Sequence, residues 1–231
     1  MEEKKQLVDL ILGRNECENR KSTLQMALEV ARYLCGYKVD DYYSIASFNW
    51  GRNTSDDVYN PVVRPTSKQS DIFASLLLYL IALEQIGNMF IEPISANDTN
   101  GIAGSFYKYS VLKDDENGSK TDKIDAIKHL RHSLAHNLGL AIIDKSKKPE
   151  KCYKYTLELY SDDTYIIKLP EIKWDGDWSE KSEKTSTKIH PFNLIKEIER
   201  IISAIQSDRN IVFVKDKDSE EIRTKYTIIT E

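Results

Sequence analysis

The stretch from Ser67 to about Ile91 constrains the fold of this chain more than any other. Ile72, Leu76, Tyr79, Leu83, Ile86 and Phe90 recur at helical spacing, and the intervening positions are so apolar that the predicted helix is hydrophobic nearly all round. Such a helix has almost no face to give to water and must be surrounded by other elements. The reading is therefore a mainly α protein, with this helix central and Ser70 as its cap. Glu84 and Gln85 interrupt the apolar run well short of the roughly 20 residues that cross a bilayer, so no membrane association is expected. For Glu84, exposure on the helix's one polar stripe is the simpler expectation, and an ion pair with Arg131 is the alternative.

The neighbours follow from periodicity and breakers. One helix spans about Glu3 to Gly13; a second is capped by Ser22 or Thr23, runs through Tyr33 and is closed by Gly36. Residues 40–66 are rich in turn formers, and the aromatic run Tyr42 to Trp50 within them is read as packing rather than as a base-stacking platform. Gly101 to Gly104 is read as a turn. Thr121 or Asp122 opens a helix to about Ile143, broken by Lys145 to Pro149. Alternation over Cys152–Tyr160 and Thr164–Leu169, around Ser161-Asp162-Asp163, predicts a β-hairpin within an insertion at 150–178. Residues 179–189, with their Ser, Glu, Lys and Thr, predict a mobile loop. A helix from His190-Pro191 to about Ser207 comes next, then an extension over 209–231 with strands at Ile211–Val214 and Tyr226–Ile229.

The whole 1–231 is read as one domain, since a hydrophobic fraction of 40% is ample for a single core. Three widely spaced cysteines, an odd number without C-x-x-C pairing, suit reduced thiols. With no secretory pattern after Met1, a cytoplasmic location is expected. A net charge of −4 gives no global attraction for nucleic acid, so RNA binding would need a local basic surface, for which Lys145 to Lys148 is the nearest patch. Gly-rich phosphate loops and a serine nucleophile elbow are absent from the sequence.

The chemistry concentrates in one helix. Ile124, Ile127, Leu130, Leu134, Ala135 and Leu138 form an apolar arc, and Arg131 falls inside it, where a guanidinium must snorkel out or find an anion. His129, His132 and His136 gather with Asp125 on another side, three of the four histidines on one stripe. Imidazoles beside an arginine supply proton carriers near neutral pH and a fixed cation, which phosphodiester cleavage requires. The wheel separates Arg131 from the histidines, so a working site needs Arg131 to reach round the helix or a second subunit to complete it.

Arg131-His132-Ser133-Leu134-Ala135-His136 resembles the Arg, polar residue, spacer, His signature of the HEPN superfamily. The resemblance implies an up-and-down helical bundle, a homodimer that joins two motif helices, and metal-independent endoribonuclease activity. It assigns Arg131 to the scissile phosphate, His136 to general base or acid chemistry, and His132 to the polar motif position. No metal or cofactor is implied. RNA is the implied substrate and, in a toxin–antitoxin or phage-defence setting, an antitoxin or other protein the implied partner. Three other readings stand beside it, one of them purely structural, with the histidines hydrogen-bonded at a dimer seam and Arg131 in an ion pair with Glu84 or another acid. His132-x-x-x-His136 has a zinc-like spacing but carries Ser133 where a zinc protease has glutamate. A non-catalytic module would use the same helix to bind a nucleotide, RNA or protein.

Overall fold

Helix α3, Gln69–Phe90, is the element around which the other helices gather. The structure, a computed structural model, describes residues 2–14, 20–35, 69–93, 100–145, 149–159, 164–214 and 219–229. The aromatic run at 42–50, Gly36 and the basic residues 146–148 lie outside them. Helices α2 (Thr23–Leu34), α4 (Gly101–Tyr109), α5 (Lys120–Asn137) and α6 (Pro191–Ser207) all pack against α3. Leu76, Tyr79, Leu80, Ala82 and Leu83 have no exposed surface. Glu84 and Gln85 do not interrupt the helix, because Glu84 finds partners. Among the described residues α3 is the one helix long and apolar enough to cross a membrane, but neighbouring helices cover most of it. Ser70 sits inside its first turn rather than capping it.

The core holds one buried charge network. Glu199 on α6 accepts from Arg32 Nε at 2.6 Å and Nη2 at 2.8 Å, a bidentate pair from α2, and from the Tyr79 hydroxyl of α3 at 2.5 Å. The network locks three helices in register, since each remaining lone pair or N–H would otherwise be stranded away from water. The helix starts follow their sequence signals. Ser22 and Gln25 form a reciprocal capping box on α2, and His190 caps α6 with Pro191 in the first turn. Helix α1, Glu2–Leu12, is tied in where Arg14 donates to the carbonyls of Ile205, Gln206 and Asp208, satisfying the C-terminal end of α6.

Several sequence expectations are corrected. Gly101 to Gly104 is not a turn but the first half of α4, capped by Asn100. Its glycines serve close approach: a Cβ at Gly87 would lie 2.1 Å from the Gly101 carbonyl oxygen, and one at Gly101 2.3 Å from that of Glu84. Helix α5 ends at Asn137 rather than near Ile143. Leu138 turns left-handed (φ 47°) and is 71% exposed, outside the apolar arc. Ala141–Asp144 then forms strand β2, paired with the strand at Lys151–Leu157, where the sequence predicts continued helix. Numbering the short strand Arg20–Ser22 as β1, the others are β3 (Lys151–Leu157), β4 (Ile167–Lys168), β5 (Thr187–Ile189) and β6 (Thr227–Ile229).

The predicted hairpin is not formed, because β3 and β4 do not pair. The sheet order is β2-β3-β5-β4, with β2 antiparallel to β3, and β5 between β3 (parallel) and β4 (antiparallel). Alternation identifies a strand but not its partner. The expected mobile loop at 179–189 is likewise ordered: Glu183–Thr185 is a short 3-10 helix, β5 follows, and Thr185 to Thr187 are buried. Hydroxyl and backbone bonding orders this polar segment where apolar burial would not. Ser186 meets Thr156 at 2.8 Å, and Lys154 donates to the carbonyls of Glu180 and Ser182 at 3.1 Å. At the C-terminus Ile211–Val214 is not a strand, although the Val214 amide donates to the Met89 carbonyl at 2.8 Å. Helix α7 (Ser219–Tyr226) precedes β6, which pairs antiparallel with β1.

Removing the carboxylate in Glu199→Ala strands Arg32 and is expected to cost about 3–5 kcal/mol of unfolding free energy, measured by urea denaturation. A loss below about 1 kcal/mol would show that the pair is not what holds α2 and α6 to α3.

Candidate active site

Three features place the motif at the exposed end of α5. Ser119 caps the helix start by accepting from the Asp122 amide. Lys123, buried, donates to Asp115 at 2.5 Å and to the Lys113 carbonyl at 3.0 Å, fastening the preceding linker. Ile124, Ile127, Leu130 and Leu134 bury the opposite face. At the far end the Ser133 hydroxyl lies 2.9 Å from the Gly139 carbonyl oxygen and 3.1 Å from that of Ala141. The second of these contacts ties the last helical turn to β2.

Arg131 does reach round the helix. Its Nη1 is 3.5 Å from His136 Nε2 in the same chain, and its Nη2 is ion-paired with Glu84 of α3. The pairing alternative for Glu84 therefore holds, and exposure does not: Glu84 is buried and also accepts from Asn100 Nδ2 at 3.0 Å. Asn100 is in turn fixed because its Oδ1 caps α4. A chain of contacts thus runs from the α4 cap through Glu84 and Arg131 to His136. Arg131 Nε is buried and has no hydrogen-bond partner among the described residues, so the guanidinium keeps unused donor capacity.

His132 and His136 are exposed neighbours, with ring centroids 4.5 Å apart. Partial desolvation, then repulsion from His136 and Arg131, holds His132 below the ordinary imidazole range, so it is neutral at pH 7 and able to accept a proton. His129 does not join them. It is buried, with Nδ1 2.8 Å from the Asp125 carbonyl oxygen and Nε2 3.1 Å from Asp144 Oδ2, and it stacks on Tyr153 at 4.2 Å. The one-stripe reading of three histidines thus divides into two exposed groups and one tie between α5 and the sheet. Tyr155, which donates to the Ala126 carbonyl at 2.8 Å, is a second tie of the same kind.

Asp125 belongs to that structural side. It accepts from Lys151 at 2.7 Å, from the Tyr153 hydroxyl and from Lys128 at 3.1 Å. Burial opposes its ionisation, but the bonds from Lys151 and Tyr153 outweigh burial and hold the carboxyl well below the usual carboxylate range. Burial, and then the bond to Asp125, pushes the Tyr153 phenol well above its ordinary range. Among the described residues no three His, Cys, Asp or Glu side chains converge in a way that would hold a metal ion.

Sequence reasoning missed Asn100, Asp144 and Tyr153. An Asn directly before a glycine-led apolar run is a cap signal and could have been read; the other two are brought in by sheet pairing, which the sequence does not encode locally. Two larger clefts, about 490 and 620 Å³, lie along the C-terminal extension and contain no motif residue.

Because the folded-state pKa of Asp125 is depressed, its contribution to stability is present at neutral pH and is lost as pH falls below about 4, the unfolded value. The stability gap between the wild type and Asp125→Asn is expected to be widest near pH 7 and to narrow on acidification, as followed by thermal melts. A gap independent of pH between 7 and 3 would refute the assignment. Comparison of the chain with known protein families, with curated proteins and with solved structures finds no match.

Proposed function

We propose that the chain is a metal-independent endoribonuclease of the HEPN type, built on an up-and-down helical bundle and working as a cytoplasmic homodimer, as a toxin or phage-defence component. The observation that carries this reading is the contact of Arg131 with His136 on the exposed end of α5, with Arg131 held from behind by Glu84.

Cleavage of RNA through its own 2′-hydroxyl needs three things: a base for the hydroxyl proton, positive charge on the phosphorane, and an acid for the departing 5′-oxygen. Arg131 supplies the charge, with Nη1 turned toward His136 and Nη2 engaged by Glu84. His136 is the proton carrier next to it. His132, neutral at pH 7, stands in the polar motif position and offers a second acceptor. The 2′-oxygen forms a bond to phosphorus as the bond to the 5′-oxygen breaks, leaving a 2′,3′-cyclic phosphate and a 5′-hydroxyl. One proton is taken from the nucleophile and one is given to the leaving group. A second subunit would bring the partner imidazoles that let base and acid act in one step.

A non-catalytic module that binds a nucleotide, RNA or a protein through the same helix is the second reading, and the Glu84 ion pair favours it, since a carboxylate already engages part of the guanidinium.

Arg131→Ala and His136→Ala are each expected to lower RNA cleavage by about 10²-fold or more while the dimer stays folded, with chelators without effect on the wild type. Cleavage assays on purified protein, with sedimentation to check the dimer, decide this. Undiminished cleavage by His136→Ala would end the catalytic assignment.

A further inference from the structure

A cleft of about 430 Å³ opens beside the motif, between α5, the Glu84 side of α3 and strand β2. Arg131 and His132 form one edge of it, so whatever holds a phosphate at Arg131 leaves the neighbouring part of the same molecule facing this cleft. Its volume falls within the range of small-ligand sites.

The walls decide what chemistry fits. Glu84 and Asp144 both line the cleft, and two carboxylates make it a poor site for a bare anion. Ile142, on the same face of β2 as Asp144, supplies an apolar wall, and the His132 imidazole supplies a flat one. Asp144 already accepts from His129, but a carboxylate has about four lone-pair sites and can accept further N–H groups. Arg131 and Lys145 place positive charge at the cleft, which favours a ligand with phosphate at its margin. A flat heteroaromatic ring carrying N–H donors, joined to a phosphate, meets all of these conditions.

We infer that this cleft is a nucleobase subsite, taking the base of a nucleotide that flanks the phosphate held by Arg131. The inference rests on the nuclease or nucleotide-binding reading for its ligand class, but the apolar wall and one of the carboxylates come from β2, which plays no part in the cleavage chemistry. It gives the sheet, an addition that a minimal motif helix does not need, a role in choosing substrate.

The test uses the full-length protein with isoleucine methyls labelled for NMR. Nucleoside 3′- and 5′-monophosphates of the four bases are titrated against ribose 5-phosphate and inorganic phosphate, and RNA cleavage is measured on the same preparation. The expected result is at least 10-fold tighter binding of one or more base-bearing ligands than of ribose 5-phosphate, with shifts at the Ile142 methyls that the base-free ligands do not produce. Equal affinity with and without a base, or no base-dependent shift at the Ile142 methyls, overturns the subsite, and cleavage by that sample then leaves the nuclease reading standing. Base-dependent binding without cleavage supports the subsite and removes the nuclease reading. Neither binding nor cleavage overturns both.

Discussion

The bidentate pair of Arg32 and Glu199, shared with the Tyr79 hydroxyl, is the interaction on which the helical core depends. A helix as apolar as α3 specifies burial but not orientation, because any of its sides will accept a neighbour. A charge network with one geometry removes that freedom, fixing α2 and α6 about α3 at a single rotation. Once they are fixed, the remaining surface of α3 is left for α4 and α5. The glycine contact between α3 and α4 brings Asn100 over Glu84. The site on α5 is therefore set by contacts on the far side of the core as well as by its own residues.

Glu84 and Glu199 make opposite uses of a buried carboxylate. Glu199 is enclosed, and each of its named partners is also buried. Glu84 sits where the core meets the surface, and its partner Arg131 keeps 18% of its side chain exposed. The first closes the core, whereas the second carries the rigidity of the core out to a guanidinium that faces solvent. On a chain with a net charge of −4, that local arrangement matters more than the overall field, which repels polyanions.

The helices were largely legible in the sequence because their signals are local: the Ser22 capping box, the His190-Pro191 start, and the 3.6-residue spacing of α3, α5 and α6. The sheet was not, for a physical reason. Strand β5 lies in a Ser- and Thr-rich segment whose order comes from hydroxyl and lysine bonds to carbonyls, and composition alone registers only its polarity. The site was half legible. Arg131, His132 and His136 stand out by type and spacing, and Glu84 by its misplaced charge. Helical projection set Arg131 apart from His136, but it ignores the reach of a long side chain, and that reach is what joins them. His129 shares their stripe by angle but is buried by β2 and β3, which projection does not contain.

Arg131 and His136 sit on the same helix but not on equally rigid parts of it. Arg131 lies more than a turn from the helix end and is clamped by Glu84; His136 is the residue before the last one, just ahead of the left-handed Leu138. Helix ends open and close locally without disturbing the core, and the final turn here is held by the Leu138 and Gly139 amides together with the Ser133 hydroxyl. The pair thus joins a cation held by the core to an imidazole held only by the last turn of its own helix.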